Sequence, residues 1–114
     1  MYGITNCDTV RKARAWLAAR GIEYRFHDFK QGGVPPAELD RWLEQFGWEQ
    51  VVNRKGTTWR KLDPAVQAKV CSNAAARELL LKEPSAIKRP VVQWPGGERT
   101  IGFDPDRWAL LAGQ

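Results

Sequence analysis

The opening 29 residues constrain the fold more than any other stretch, because they read as strand, helix, strand. Met1–Thr5 is short, aromatic and β-branched, the composition of a buried strand. Val10, Ala13 and Leu17 then recur at helical spacing, Asp8 or Thr9 stands where a cap belongs, and Gly21 supplies a stop. From Glu23 to Phe29 the residues alternate, with Tyr24, Phe26 and Asp28 on one face and Arg25, His27 and Phe29 on the other, which predicts a second strand. A strand–helix–strand unit of this length makes the two strands parallel and the crossover right-handed.

The middle of the chain is expected to be helical. Gly32, Gly33, Pro35 and Pro36 mark a loop, after which Leu39, Trp42, Leu43 and Phe46 form one helical stripe ended by Gly47. Asp63–Pro64 is a cap followed by proline at the first helical position, opening a helix through about Cys71. Ser72 caps another that carries Ala76, Leu79 and Leu80 to a stop at Pro84. Residues 89–94 and 99–103, joined by Pro95–Gly96–Gly97, read as an antiparallel hairpin. Asp104–Pro105 repeats the cap-and-proline start for a last helix with Trp108 and Leu111. The order βαβ, helices, ββα predicts one α/β domain over 1–114 with a four-stranded mixed sheet and no repeats or linkers.

A hydrophobic content of 43% with six tryptophans argues for a packed core and against disorder. No apolar run is long enough to span a bilayer, and no basic-then-apolar leader precedes the first strand, so a cytoplasmic protein is expected. Two cysteines, Cys7 and Cys71, are too few for a secreted disulfide framework, and with a single histidine there is no zinc pattern. Neither a metal nor a tightly bound cofactor is expected. The net charge of +5 favours anionic partners such as oxyanions, tripeptide thiols or acidic protein surfaces. The basic residues are scattered among acidic ones without a basic run or a stacking motif, which speaks against nucleic acid.

Cys7 stands where the first strand gives way to the helix. There the unpaired amides and positive end of the helix favour a thiolate, which makes Cys7 a candidate nucleophile. Around it, Asn6, Asp8 and Thr9 either shape the turn or take part in binding, and Arg11 either reaches back to the sulfur or stays on the solvent face. Cys71 reads as a small buried hydrophobe near a helix end. His27 belongs to the second strand, away from the cysteine turn, and the tryptophans fill core and loops.

The element order, with a cysteine at the first strand-to-helix turn and Pro90 opening the third strand, is the thioredoxin-like plan. Tyr2–Ala13 (YGITNCDTVRKA), Gly21–Tyr24, Phe26–Asp28, Asn53–Gly56, Ile87–Val92 and Ile101–Phe103 together resemble the arsenate reductase ArsC-like family. Within it the likeness is to YffB-type proteins, with Spx-type regulators as neighbours.

The resemblance implies that Cys7 is a nucleophile resolved by an external thiol, usually glutathione, acting as co-substrate, with a glutaredoxin as a further partner. It also implies that Arg54 and Arg89 hold an anion, for which a guanidinium offers a permanent charge and a planar fork of donors. Pro90 is expected to be cis and to set backbone beside the thiol. Two departures bear on the substrate. Thr100–Asp104 lacks the arginine that true arsenate reductases carry, and Val10 occupies the place of the second cysteine of a Cys-x-x-Cys pair. The expectation is a single-thiol, glutathione-dependent oxidoreductase whose Cys7 attacks an electrophilic sulfur or an oxyanion, with a glutathione mixed disulfide standing beside arsenate as the substrate. The alternative is an Spx-like regulator that contacts RNA polymerase without turnover.

Overall fold

The computed structural model describes residues 1–113. In chain order its elements are β1 (Tyr2–Gly3), α1 (Asp8–Ala19), β2 (His27–Asp28), α2 (Phe29–Gly32), α3 (Pro36–Phe46), α4 (Trp48–Val51), α5 (Thr57–Arg60), α6 (Pro64–Lys69), α7 (Asn73–Lys82), a 3-10 turn (Pro84–Ala86), β3 (Val91–Gln93), β4 (Arg99–Ile101) and α8 (Pro105–Leu111). They fall into two compact units, one made of Met1–Asp28 with the segment from Arg89 onward, the other of Phe29–Lys88.

The first unit holds the whole sheet, in the order β2-β1-β3-β4. β1 runs parallel to β2, with Tyr2 opposite His27, and antiparallel to β3, with Tyr2 opposite Val91. β3 and β4 pair antiparallel from Val91↔Ile101 to Gln93↔Arg99. This is the mixed four-stranded sheet of a thioredoxin-like fold. Helix α1 buries Val10, Ala13 and Leu17, the apolar stripe its spacing predicts. It ends in a Schellman motif. The Ile22 amide donates to the Leu17 carbonyl at 3.0 Å and the Gly21 amide to Ala18 at 3.1 Å, with Gly21 at φ +66°, where a side chain would be strained.

Ala13 and Leu17 pack into a core with Met1, Val92, Trp94 and Trp108. Each large apolar side chain so buried contributes about 1.5–3 kcal/mol. Trp108 of α8 is fully buried and meets three rings edge-on, Trp16 at 5.7 Å, Trp94 at 5.2 Å and Phe103 at 4.8 Å between centroids. Its indole N–H finds no hydrogen-bond acceptor among the described residues, while that of Trp94 donates to Thr100 Oγ1 at 3.0 Å. Asp104 caps α8 as expected, accepting from the Arg107 amide at 3.3 Å.

Both strands of the βαβ unit are shorter than expected. The strand expected over 23–29 pairs only at His27–Asp28, because β1 offers just two residues to pair with. Phe29, expected at its end, instead opens α2 and is buried. The cap of α1 is also corrected: Cys7 itself is the N-cap residue, ahead of Asp8 and Thr9, and its side chain makes no capping hydrogen bond.

In the second unit α3 buries Leu39, Trp42 and Leu43, with Phe46 only half-buried, and Gly47 ends it at φ +80°. Asn73 ties α7 to the end of α3, donating to the Leu43 carbonyl at 3.1 Å and accepting from the Trp48 amide at 3.0 Å. Asp63 and Ser72 cap α6 and α7 as their sequence positions predict. An isolated bridge pairs Val52 with Ile87. The single-turn helices α2, α4 and α5 have no counterpart in the sequence periodicity.

Candidate functional site

The pairing pattern brings three chain segments to one end of the sheet. β1 leaves the sheet at the end where β3 enters it, and β4 leaves at that end too, since β3 is antiparallel to both. The chain from Ile4 to Cys7 therefore lies at the same sheet end as Arg89 and Pro90, which directly precede β3, and as Gly102. The Arg89–Pro90 peptide bond is cis. Pro90 is fully buried and its carbonyl accepts from the Gly102 amide at 2.9 Å, with Gly102 at φ +82°. Arg89 is half-buried.

Gly3 sets how closely α1 lies on β1. A Cβ at residue 3 would stand 3.1 Å from Val10 Cγ2, so the missing side chain lets Val10, wholly buried, pack directly on the strand. The helix start, and Cys7 with it, is thereby held close to the sheet end. Cys7 has extended backbone angles (φ −150°, ψ 123°), its carbonyl closes the first helical turn by accepting from the Arg11 amide at 2.9 Å, and its thiol is free and half-exposed. The first-turn amides that a serine or aspartate cap would satisfy receive no such side chain. They leave a cluster of donors at the positive end of a twelve-residue helix.

Arg11 does not reach back to the sulfur by the route the sequence leaves open. Its guanidinium spans the turn, donating through Nη1 to Asp8 Oδ1 at 2.6 Å and through Nη2 to Asn6 Oδ1 at 2.7 Å. Asn6, Asp8 and Thr9 are all exposed. From sequence Asp8 is only a cap or turn residue; its partnership with Arg11 has a signal in the three-residue spacing that puts the two on one helix face. Position 10 holds a buried valine, so the turn carries one thiol alone.

Arg54 belongs to the unit formed by Phe29–Lys88, is exposed, and sets its guanidinium 5.4 Å from the Trp48 ring centroid. Cys71, expected to be buried, is exposed: Val70, the C-cap of α6, takes the buried position, and Cys71 falls in the link to the α7 cap. His27 is half-buried on β2, its ring 5.4 Å from that of Tyr2. Asp104, which would repel an oxyanion if it faced the site, turns its carboxylate to the α8 cap. Among the described residues no three histidine, cysteine or carboxylate side chains gather as metal ligands would, and no helix is long and apolar enough to cross a membrane.

Comparison with known proteins agrees with this architecture. A solved YFFB protein superposes with a TM-score of 0.89 at 48% identity, covering 96% of this chain and 95% of its own. An arsenate reductase (ArsC) related protein from Brucella melitensis superposes with a TM-score of 0.73 at 47% identity over 99% of this chain and 92% of its own. An uncharacterised protein of Haemophilus influenzae is 41% identical over 104 residues, 91% of this chain and 90% of its own. The global transcriptional regulator Spx of Streptococcus pyogenes is 28% identical over 103 residues, 89% of this chain and 75% of its own. The pattern of the ArsC family matches residues 2–111. With its lone half-exposed cysteine at the head of α1 and its cis proline at the mouth of β3, the chain belongs to the ArsC family.

Proposed function

We propose that this protein is a glutathione-dependent thiol oxidoreductase in which Cys7 alone carries the redox chemistry. The observation that carries the reading is the free, half-exposed Cys7 thiol at an uncapped helix start, with buried Val10 in place of a resolving cysteine. A thiolate there attacks the glutathionyl sulfur of a mixed disulfide. The S–S bond breaks, the departing thiolate takes a proton, and Cys7 is left as its own disulfide with glutathione. A second glutathione, or a glutaredoxin, attacks that disulfide and returns the Cys7 thiolate, so one substrate disulfide is reduced for each glutathione disulfide formed. Asn6 and Thr9 flank the incoming thiol, Pro90 offers backbone to its peptide, and Arg89 binds a carboxylate of it. Such chemistry fits a reducing compartment such as the cytoplasm.

The test is glutathione-dependent turnover of a mixed-disulfide substrate and of arsenate. Cys7→Ser is expected to abolish it, Cys71→Ser to leave it intact, and Arg89→Ala to raise KM for glutathione by about tenfold, the loss of one charge-assisted contact. Full turnover by Cys7→Ser would refute the reading. The likeness to Spx favours a second one, a regulator that contacts RNA polymerase, for which polymerase capture unaffected by Cys7→Ser, with no turnover, is the discriminating result.

A further inference from the structure

The positive charge of the unit formed by Phe29–Lys88 gathers on one turn. No acidic residue stands between Glu49 and Asp63, while Arg54, Lys55, Arg60 and Lys61 all fall there. All four are exposed, and none pairs with a carboxylate among the described residues. Arginines elsewhere on the surface are matched, Arg11 with Asp8, Arg41 with Glu38, Arg77 with Asp40 and Arg107 with Glu98. Asp63, close behind Lys61 in the chain, is spent on the α6 cap, accepting from the Ala65 amide at 2.9 Å. Four like charges are thus left uncompensated on a chain whose whole net charge is +5.

The sequence spacing conceals this cluster, because Gly56–Trp59 separates its two pairs, and the fold closes the gap. The Arg60 amide donates to the Gly56 carbonyl at 3.2 Å and the Lys61 amide to that of Thr57 at 3.1 Å, so α5 brings the second pair within one helical turn of the first. The four α-carbons lie within roughly one Debye length at 0.1 M salt, so their side-chain charges build one potential. The turn is also built rather than slack. The Asn53 amide donates to the Ala86 carbonyl at 2.8 Å, its own carbonyl accepts from the Gly56 amide at 3.3 Å, and its Oδ1 accepts from the Lys55 amide at 3.3 Å. A Cβ at residue 56 would stand 2.7 Å from Asn53 Nδ2, so the turn closes this tightly only on glycine. On the other side, Gln67 Nε2 donates to the Trp59 carbonyl at 2.7 Å. Backbone held on both sides lowers the ordering cost of docking.

We infer that Arg54, Lys55, Arg60 and Lys61 form a docking surface for an acidic segment of a partner protein, one with clustered aspartate and glutamate side chains. The surface lacks what a nucleic acid would use. Trp48 and Trp59 are both half-buried, and the Arg54 guanidinium stands 5.4 Å from the Trp48 ring centroid, so no aromatic face is offered for a base to stack on. The inference goes beyond the thiol chemistry and does not depend on it.

The experiment measures binding of fluorescein-labelled decaglutamate to the full chain by fluorescence anisotropy at low ionic strength. Arg54→Gln, Lys55→Gln, Arg60→Gln and Lys61→Gln combined are expected to weaken binding about tenfold, the product of four exposed ion pairs at somewhat under twofold each. A control variant removes the same charge elsewhere, at the exposed and unpaired Lys12, Arg25, Lys69 and Lys82, and should weaken binding by less than about twofold. Arg60→Gln with Lys61→Gln, which leaves the Asn53 turn and the Trp48 contact untouched, should cost about threefold. Equal losses in the patch and control variants would mean that net charge alone attracts the peptide, and would overturn the inference. So would a larger dependence on the four cations shown by labelled decathymidylate or by phosphatidylserine vesicles, because the surface would then be reading phosphate. The same constants are expected for the Cys7→Ser protein, so a failure of docking and a failure of glutathione turnover are read separately.

Discussion

Replacing Trp108 separates what its bulk contributes from what its indole N–H costs. The side chain is fully buried and edge-on to Trp16, Trp94 and Phe103, so Trp108→Ala is expected to destabilise by about 3–5 kcal/mol. Trp108→Phe keeps a ring at the centre of the cluster. It gives up roughly 40 Å² of apolar contact, about 1 kcal/mol. The residual void of roughly 35 Å³ adds about 0.8 kcal/mol. Against these, it removes a buried donor that has no acceptor among the described residues, which returns about 1–2 kcal/mol. The net cost of the phenylalanine variant is therefore within about 1 kcal/mol of zero. Urea unfolding followed by far-ultraviolet circular dichroism reads both. With a slope of about 1.5 kcal/mol/M, the alanine variant should lose about 2–3 M in midpoint and the phenylalanine variant less than about 1 M. A phenylalanine variant that loses as much as the alanine one would refute the reasoning, because the N–H would then be making an interaction worth keeping. The outcome matters for the site, since Trp16 lies on α1, the helix that presents Cys7.

Three further outcomes follow from the geometry. Val10→Cys is expected to create a pair that oxidises with Cys7, since positions three apart at a helix start lie within disulfide reach, so thiol titration after mild oxidation should lose two thiols per chain; losing none would refute it. Gly3→Ala should cost about 1–3 kcal/mol by driving a Cβ to 3.1 Å from Val10, whereas Gly96→Ala, with open space and no positive φ, should cost less than about 0.5 kcal/mol; equal melting-temperature losses would contradict this. Asp104→Ala should lower stability by about 1 kcal/mol through loss of the α8 cap, and Asp104→Asn should recover most of it in the same denaturation assay.

What could be read without coordinates was whatever local chemistry decides. Asp63, Ser72 and Asp104 accept from the amides their positions predict, and the stripe Leu39, Trp42, Leu43 is buried as its spacing requires. Strand length was not legible, because pairing ends where the partner ends: the alternation of residues 23–29 continues past the two residues of β1 that can bond to it. One-turn helices such as α4 and α5 are shorter than the period that would reveal them. Burial of a residue between helices is likewise a tertiary fact. Val70 and Cys71 are neighbours, both compatible with an interior, and only packing decides that Val70 goes in and Cys71 stays out. At the sheet end, the cis Arg89–Pro90 bond and the place of Cys7 at the head of α1 follow the resemblance, while the partners of Arg11 depended on rotamers that sequence does not specify.

The division of the sheet unit into two stretches of chain also fixes an order of events during synthesis. Ala13 and Leu17 emerge from the ribosome early, yet the side chains that cover them, Val92, Trp94 and Trp108, follow only after the ~60 residues of Phe29–Lys88. At translation speeds of about 5–20 residues per second, the apolar face of α1 waits roughly 4–18 s for its lining, from Leu17 to Val92 at the earliest and Trp108 at the latest. Throughout that interval the helix that bears the sulfur has no finished core beneath it, and its apolar stripe stays exposed until the C-terminal stretch arrives.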